Sequence, residues 1–320
     1  MRFKSIYINE IIKGGYFLFK FQKRLVLLLL ALILLLAACG NDANEESKEQ
    51  SEDDNEATES SEDKGTIKIG MNNWVENIAV SNMWKVILEE KGYEIELVSI
   101  EKAALYEGMA SGDLDIGMEI WLPETDKSYY EQYEDEIELQ DNWYEGTELA
   151  LTVPAYMDDI NSMEDLNEYK DEFDSTITGI EPGASIIMLT EDAIEEYDLD
   201  YELQTSSEPA MLTELKTKME NEEPLVVTLW KPHSAYAELD LKNLEDPMNV
   251  YGDSENIYYA TRMDFEDDHP EIVEWFNNFI LDDDQLGTLM AEVESADSEE
   301  EGAKNWIEDN QDLIDEWIEE

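Results

Sequence analysis

The chain has 320 residues, 42% of them hydrophobic and 10% aromatic, enough to bury the core of one large or two ordinary domains, so wholesale disorder is excluded. Against 20 Lys+Arg stand 81 Asp+Glu, a formal net charge of −61, and a field of that sign repels a phosphate backbone, which excludes nucleic-acid binding. The single cysteine cannot form an intrachain disulfide or a Cys-rich zinc site, and two histidines leave little from which to build a catalytic metal centre.

Residues 1–38 carry Arg2, Lys4, Lys13, Lys20, Lys23 and Arg24 against one acid, Glu10, followed by an apolar run from Leu25 to Leu36, which is the charge layout of a signal peptide. The run is shorter than the roughly 20 residues that span a bilayer. It ends in Leu36-Ala37-Ala38-Cys39-Gly40, where small residues admit a peptidase and Cys39 sits where a lipoprotein pathway attaches lipid. Residues 39–65 are acidic, with no aromatic and hardly an apolar side chain to offset the entropy of ordering; they read as a lipid-attached tether. The acid recurs in Glu131 to Glu138, Glu191 to Tyr197 and Asp264 to Asp268. A whole surface of this kind fits a salty or alkaline exterior, because screening shortens from about 10 Å at 0.1 M salt to about 3 Å at 1 M.

From Thr66 the pattern alternates strands and helices. Thr66 to Met71 reads as a buried strand, Ile78 to Lys91 as a helix ending at Gly92, and Tyr93 to Ile100 as a second strand. A helix around Ala103 to Ser111, a strand around Leu114 to Ile120 and a strand at Glu148 to Pro154 follow. A second series has strands at Ser175 to Ile180, Tyr201 to Thr205 and Pro224 to Leu229, with helices at Ser185 to Tyr197 and Glu208 to Asn221. Glu255 to Arg262 reads as a returning strand and His269 to Glu320 as helical. The expectation is an α/β protein of two doubly wound lobes, residues 66–153 with 255–320 forming lobe 1 and residues 154–254 forming lobe 2.

In open α/β sheets the ligand crevice lies at the carboxyl ends of the strands. Trp74 follows the first strand, Trp121 the third, and Trp230 a second-lobe strand. One tryptophan is ordinary core; three at strand ends in two lobes suit a cage for a desolvated cation, each favourable ring contributing roughly 0.5 to 2 kcal/mol. A quaternary ammonium fits best, having no donor to satisfy. In Gly179-Ile180-Glu181-Pro182-Gly183-Ala184-Ser185-Ile186 a strand ends in a turn and a helix begins. Its first amides either accept an anion or are capped by Ser185 or Glu181. With the cage, the first option describes a zwitterion. No Gly-x-Ser-x-Gly elbow, phosphate-cradling loop, Cys–His pair in the mature chain or complete Ca²⁺ loop is present, so neither an enzyme nor a calcium scaffold is expected, and no cofactor.

The stretches IKIGMNNWVENIAVSNMWKVILEEKGYEIELV, LYEGMASGDLDIGMEIWLPETDKSYYEQY, ITGIEPGASIIMLTEDAIEEYDLDYEL, SSEPAMLTELKTKMENEEPLVVTLWKPH and LEDPMNVYGDSENIY resemble the extracytoplasmic substrate-binding lipoproteins of glycine betaine/proline betaine ABC transporters, the OpuAC-like family, over essentially all of Gly65 to Glu320. The resemblance implies a periplasmic-binding-protein-like fold whose two lobes close on the ligand, with Trp74, Trp121 and Trp230 around the trimethylammonium and the Ser185 and Ile186 amides on the carboxylate. It also implies a monomer working with a membrane permease and a separate ATPase. The family's carboxylate-binding histidine, five residues after the second cage tryptophan, is Asp126 here, a departure that puts the carboxylate contact in question. His233 matches a histidine usual after the third cage tryptophan and is expected to be structural. Glu76, two residues after Trp74, is placed to meet a hydroxyl, which keeps choline or carnitine as alternative ligands. Lobe closure is expected about hinges near Thr152 to Pro154 and Glu255 to Tyr259.

Overall fold

A computed structural model of the chain describes residues 64–318; the expected signal peptide, Cys39 and nearly all of the tether lie outside them. Strand β1 (Thr66–Met71) runs into helix α1 (Val75–Glu90), followed by β2 (Glu94–Ser99), α2 (Lys102–Ser111), β3 (Ile116–Leu122), α3 (Lys127–Tyr133) and β4 (Ile137–Glu145). The chain continues through β5 (Glu148–Pro154), β6 (Thr176–Gly179), α4 (Ser185–Glu196), β7 (Glu202–Thr205), α5 (Glu208–Glu220), β8 (Val227–Lys231), the short α6 (Ala235–Glu238) and β9 (Leu241–Asn243). It returns as β10 (Asn256–Arg262) and closes with α7 (Phe265–Asp268), α8 (Pro270–Asn278), α9 (Asp283–Ser295), α10 (Glu299–Asp309) and α11 (Gln311–Ile318).

These elements build two five-stranded mixed sheets, ordered β2-β1-β3-β10-β4 and β7-β6-β8-β5-β9. In each, parallel strands joined by crossover helices form one side, and antiparallel strands complete the other. β3 is buried along its whole length, as expected of a central strand covered on both faces. The helical tail belongs with the first sheet: Trp84 of α1 meets Phe276 at 4.1 Å and Phe279 at 5.3 Å between ring centroids, and Trp317 closes the same aromatic cluster.

The division between lobes differs from the sequence expectation at one strand. β5 pairs antiparallel with β8 and β9, Leu149 opposite Trp230 and Thr152 opposite Asn243, so it is part of the second sheet. The crossing lies at Gly146 and Thr147, and the return at Glu255. Gly146 holds φ at +91°, which glycine adopts without a Cβ penalty. The Gly146 and Thr147 amides both donate to the Glu255 carbonyl at 3.0 Å, and the Glu255 amide donates to Thr147 Oγ1 at 3.2 Å. Thr152 to Pro154 is held in a ladder on both sides and lacks the torsional freedom a hinge needs; the paired crossing strands at 146–147 and 255 are where the two sheets connect.

β3 and β8 also run further than their sequence patterns indicate. Trp121 and Trp230 are the next-to-last residues of their strands, because antiparallel neighbours extend each ladder: Ile257 of β10 pairs with Trp121 and Leu149 of β5 with Trp230. Each strand is followed directly by proline in a cis peptide, Leu122–Pro123 and Lys231–Pro232.

Candidate ligand-binding site

A cavity of about 30 Å³ is walled by residues of both sheets: Trp74, Glu76, Lys102, Trp121, Thr125 and Asp126 from one side, and Leu149, Ile180, Ala184, Ser185, Ile186 and Trp230 from the other. Trp74, the N-cap of α1, has the extended backbone of a cap residue (φ −113°, ψ 146°), which turns its ring away from the helix. Its ring meets that of Trp230 edge to face, centroids 6.2 Å apart.

Each of the three cavity indoles is fixed by its N–H. Trp74 Nε1 donates to Glu181 Oε1 at 2.6 Å and Trp230 Nε1 to Glu76 Oε1 at 3.0 Å, both across the cleft; Trp121 Nε1 donates to Glu119. Buried indole donors usually find such partners, and here these bonds fix the ring planes. The carboxylates respond to their surroundings. Burial pushes Glu119 up to about 7, with Lys102, Trp121 and Asn77 opposing it. Burial, and then the charges of Glu119 and Glu208, hold Glu76 well above the ordinary glutamate value. Burial likewise raises Glu181.

At the first turn of α4 the N-cap is Ala184, which offers no side-chain cap. Both residues that could have capped it are committed elsewhere: Glu181 to Trp74, and the Ser185 hydroxyl to Asp126 Oδ1 at 2.5 Å. The Ser185 and Ile186 amides, first and second in the helix, therefore keep their donors for whatever enters the cavity. The turn before them passes through Gly183 at φ +95°, and Tyr129 OH donates to the Gly183 carbonyl from the opposite lobe at 2.8 Å.

Asp126 is fully buried and surrounded by donors: Ser185 Oγ, the Trp121 amide at 2.9 Å, and Lys102 Nζ, an ion pair at 2.6 Å. Lys102 is the residue that sequence reasoning missed. It sits at the start of α2, where lysine ordinarily reaches solvent, yet it is buried, donates also to the Glu119 carbonyl, and stands 5.1 Å from the centre of the Trp74 ring. His233 does not line the cavity. Its ring packs edge to face on Trp230 at 4.8 Å, its Nδ1 accepts from the Ala235 amide at 3.0 Å, and its Nε2 lies 3.3 Å from Glu208 Oε1. Glu255 holds the loop after β3, its carboxylate accepting from the Glu124 and Thr125 amides and from Thr125 Oγ1.

Residues 65–309 match the OpuAC family, the substrate binding domain of ABC-type glycine betaine transport systems. The chain belongs to this family. It is a family of transporter substrate-binding proteins rather than of enzymes. The chain is 39% identical over 160 residues to the glycine betaine/carnitine transport binding protein GbuC of Listeria monocytogenes, a match covering 49% of this chain and 52% of that protein, so it spans about half the length of this relative. Among solved structures, the glycine betaine, L-proline-binding protein ProX of Borrelia burgdorferi is similar at 33% identity and TM-score 0.76, covering 80% of this chain and 97% of that one. Lactococcal OpuAC, solved closed with glycine betaine, is similar at 30% identity and TM-score 0.75, covering 80% of this chain and all of the other. Among the described residues no helix is long and apolar enough to cross a membrane.

Proposed function

We propose that this protein captures a zwitterionic quaternary ammonium compound, glycine betaine and with it proline betaine, outside the cell membrane and delivers it to a membrane permease driven by a separate ATPase. The observation that carries the reading is that three tryptophans and the uncapped first turn of α4 share one cavity: rings for the ammonium, amides for the carboxylate. Trp74 and Trp121 come from one lobe, and Trp230 with the Ser185 and Ile186 amides from the other, so a ligand touching all of them favours the closed state by its binding energy. Attachment through lipid on Cys39, after cleavage of residues 1–38, keeps the protein beside its permease, and the lobes move about 146–147 and 255. The protein acts as a monomer and hydrolyses nothing.

Choline is the second reading, and one feature favours it: Glu76 Oε2 is buried beside the cavity without a hydrogen-bond partner and could accept from a hydroxyl. Against it stands the Lys102 ammonium in the cavity wall, which repels a ligand that carries only positive charge. Calorimetric titration of the purified protein with glycine betaine and, separately, with choline decides between them. Saturable glycine betaine binding with weaker choline binding is expected; choline binding without glycine betaine binding would overturn the proposal while leaving the aromatic cage in place.

A further inference from the structure

We infer that Lys102 is the specificity-determining charge of the site: its ammonium, held by Asp126, makes the cage select a ligand with a carboxylate over a bare cation. The inference rests on the betaine reading and names the residue that enforces it.

A lysine in the wall of a cation cage needs a reason, because burying an ammonium is costly unless it is paired. Lys102 and Asp126 are paired at 2.6 Å, with 2% and 0% of their side chains exposed, which accounts for its burial but not for its position. An ammonium has three donors. One goes to Asp126 and one to the Glu119 carbonyl; the third remains on the side that borders the cavity and the Trp74 ring. Asp126 lies between Lys102 and the first turn of α4, binding Lys102 through Oδ2 and Ser185 through Oδ1. A ligand carboxylate on the Ser185 and Ile186 amides would thus meet Asp126 first. Without a cation beside it, Asp126 would repel that carboxylate and attract an ammonium in its place. Lys102 reverses this balance, neutralising Asp126 and offering its remaining N–H to the ligand anion. A cation lacking an anionic group gains nothing from that N–H and meets its charge.

The test is calorimetric titration of glycine betaine and of choline into the unmodified protein, Lys102→Met, Asp126→Asn and the double variant, with thermal melts alongside. Lys102→Met should weaken glycine betaine by about 10- to 100-fold, the range for losing a hydrogen bond to a charged group, and should tighten choline. Asp126→Asn should weaken choline more than it weakens glycine betaine, raising the glycine betaine-to-choline ratio. The double variant removes both members of the ion pair, so it is expected to fold even where Lys102→Met does not; it should bind glycine betaine at least about tenfold more weakly than Asp126→Asn. Equal glycine betaine binding by the double variant and Asp126→Asn would mean that Lys102 only neutralises Asp126, and would overturn the inference. So would an unchanged glycine betaine-to-choline ratio in Lys102→Met with a lowered melting temperature, the mark of a purely structural pair. Choline binding in place of glycine betaine by the unmodified protein would overturn the betaine reading itself, and is seen before any variant is made.

Discussion

The two lobes carry the same strand plan and place different chemistry at the same points. In each sheet the strand that opens the βα unit, β1 or β6, leads into a helix at the cavity, and the central strand, β3 or β8, has tryptophan as its next-to-last residue and is followed by a cis proline. The helix starts differ. At α1 the N-cap is Trp74, and the first amide of the helix, that of Val75, is taken by Glu208 Oε2 from the other lobe at 3.2 Å. At α4 the N-cap is Ala184, and the helix start opens on the cavity. At one helix end a tryptophan cap and a carboxylate on the first amide close the helix start; at the other a small cap leaves the first amides without a side-chain acceptor. The difference teaches that one altered cap between two similar halves is enough to give the two helix starts opposite electrostatic character.

The largest expected effects come from removing the equivalent tryptophans, and they should be unequal. Trp121→Ala and Trp230→Ala each lose a cage wall, at roughly 1 to 3 kcal/mol of glycine betaine binding, or about 10- to 100-fold in Kd. Trp230→Ala should sit at the upper end, because it also strips Glu76 Oε1 of its indole donor, while the other oxygen of Glu76 already has no partner. Glu119 keeps Asn77 when Trp121 is lost. Calorimetric Kd values for the two variants measure this directly; normal binding by either would remove that ring from the cage, and equal losses would mean that the Glu76 contact contributes nothing.

A smaller effect isolates the helix start of the second lobe. Ser185 is the first residue of α4, and Ala184 before it is already extended at φ −66° and ψ 139°, the conformation a following proline demands. Proline is favoured at this position because its missing N–H has no intrahelical acceptor. Ser185→Pro therefore deletes the amide donor and the hydroxyl, and Ser185→Ala only the hydroxyl. The expected outcome is about tenfold weaker glycine betaine binding for the proline variant than for the alanine variant, the worth of one hydrogen bond to a carboxylate, with choline binding equal in both. Equal glycine betaine binding would place the ligand carboxylate elsewhere.

Much of this was legible in the sequence. β1 and β5 have the bounds their apolar patterns indicate, and the three tryptophans singled out for their places at strand ends line one cavity. What escaped has physical causes. β4 and α3 lie in a stretch so rich in Glu, Asp and Tyr that no apolar period survives, and β4 is half-exposed along most of its length with an irregular register against β10. The sheet that β5 joins is decided by antiparallel pairing with strands far along the chain, which no local pattern carries. The carboxylate partners of the indoles were open to inference, since a buried Trp N–H usually finds one and Glu119 stands two residues from Trp121. Lys102 was not, because a lysine in the first turn of a helix reads as a solvated surface residue.

The smallest effect contrasts the acids behind the two strand-end tryptophans through pH. Glu119, behind Trp121, is fully buried and raised to about 7, chiefly by burial. Its proton is held more tightly in the folded chain than in the unfolded one, whose ordinary value is about 4.5. The folded state therefore binds more protons between those values. The stability linked to this group is fully present below about 4.5 and is lost as pH rises through about 7. Glu119→Gln removes the titration, so its stability should change less with pH across this window and exceed that of the unmodified protein at pH 8 by on the order of 1 kcal/mol. Urea midpoints of both proteins from pH 4.5 to 8 test this. Curves that stay parallel would mean that Lys102 and the Trp121 and Asn77 donors, rather than burial, govern Glu119, and that the Trp121 indole rests on an ionised acid.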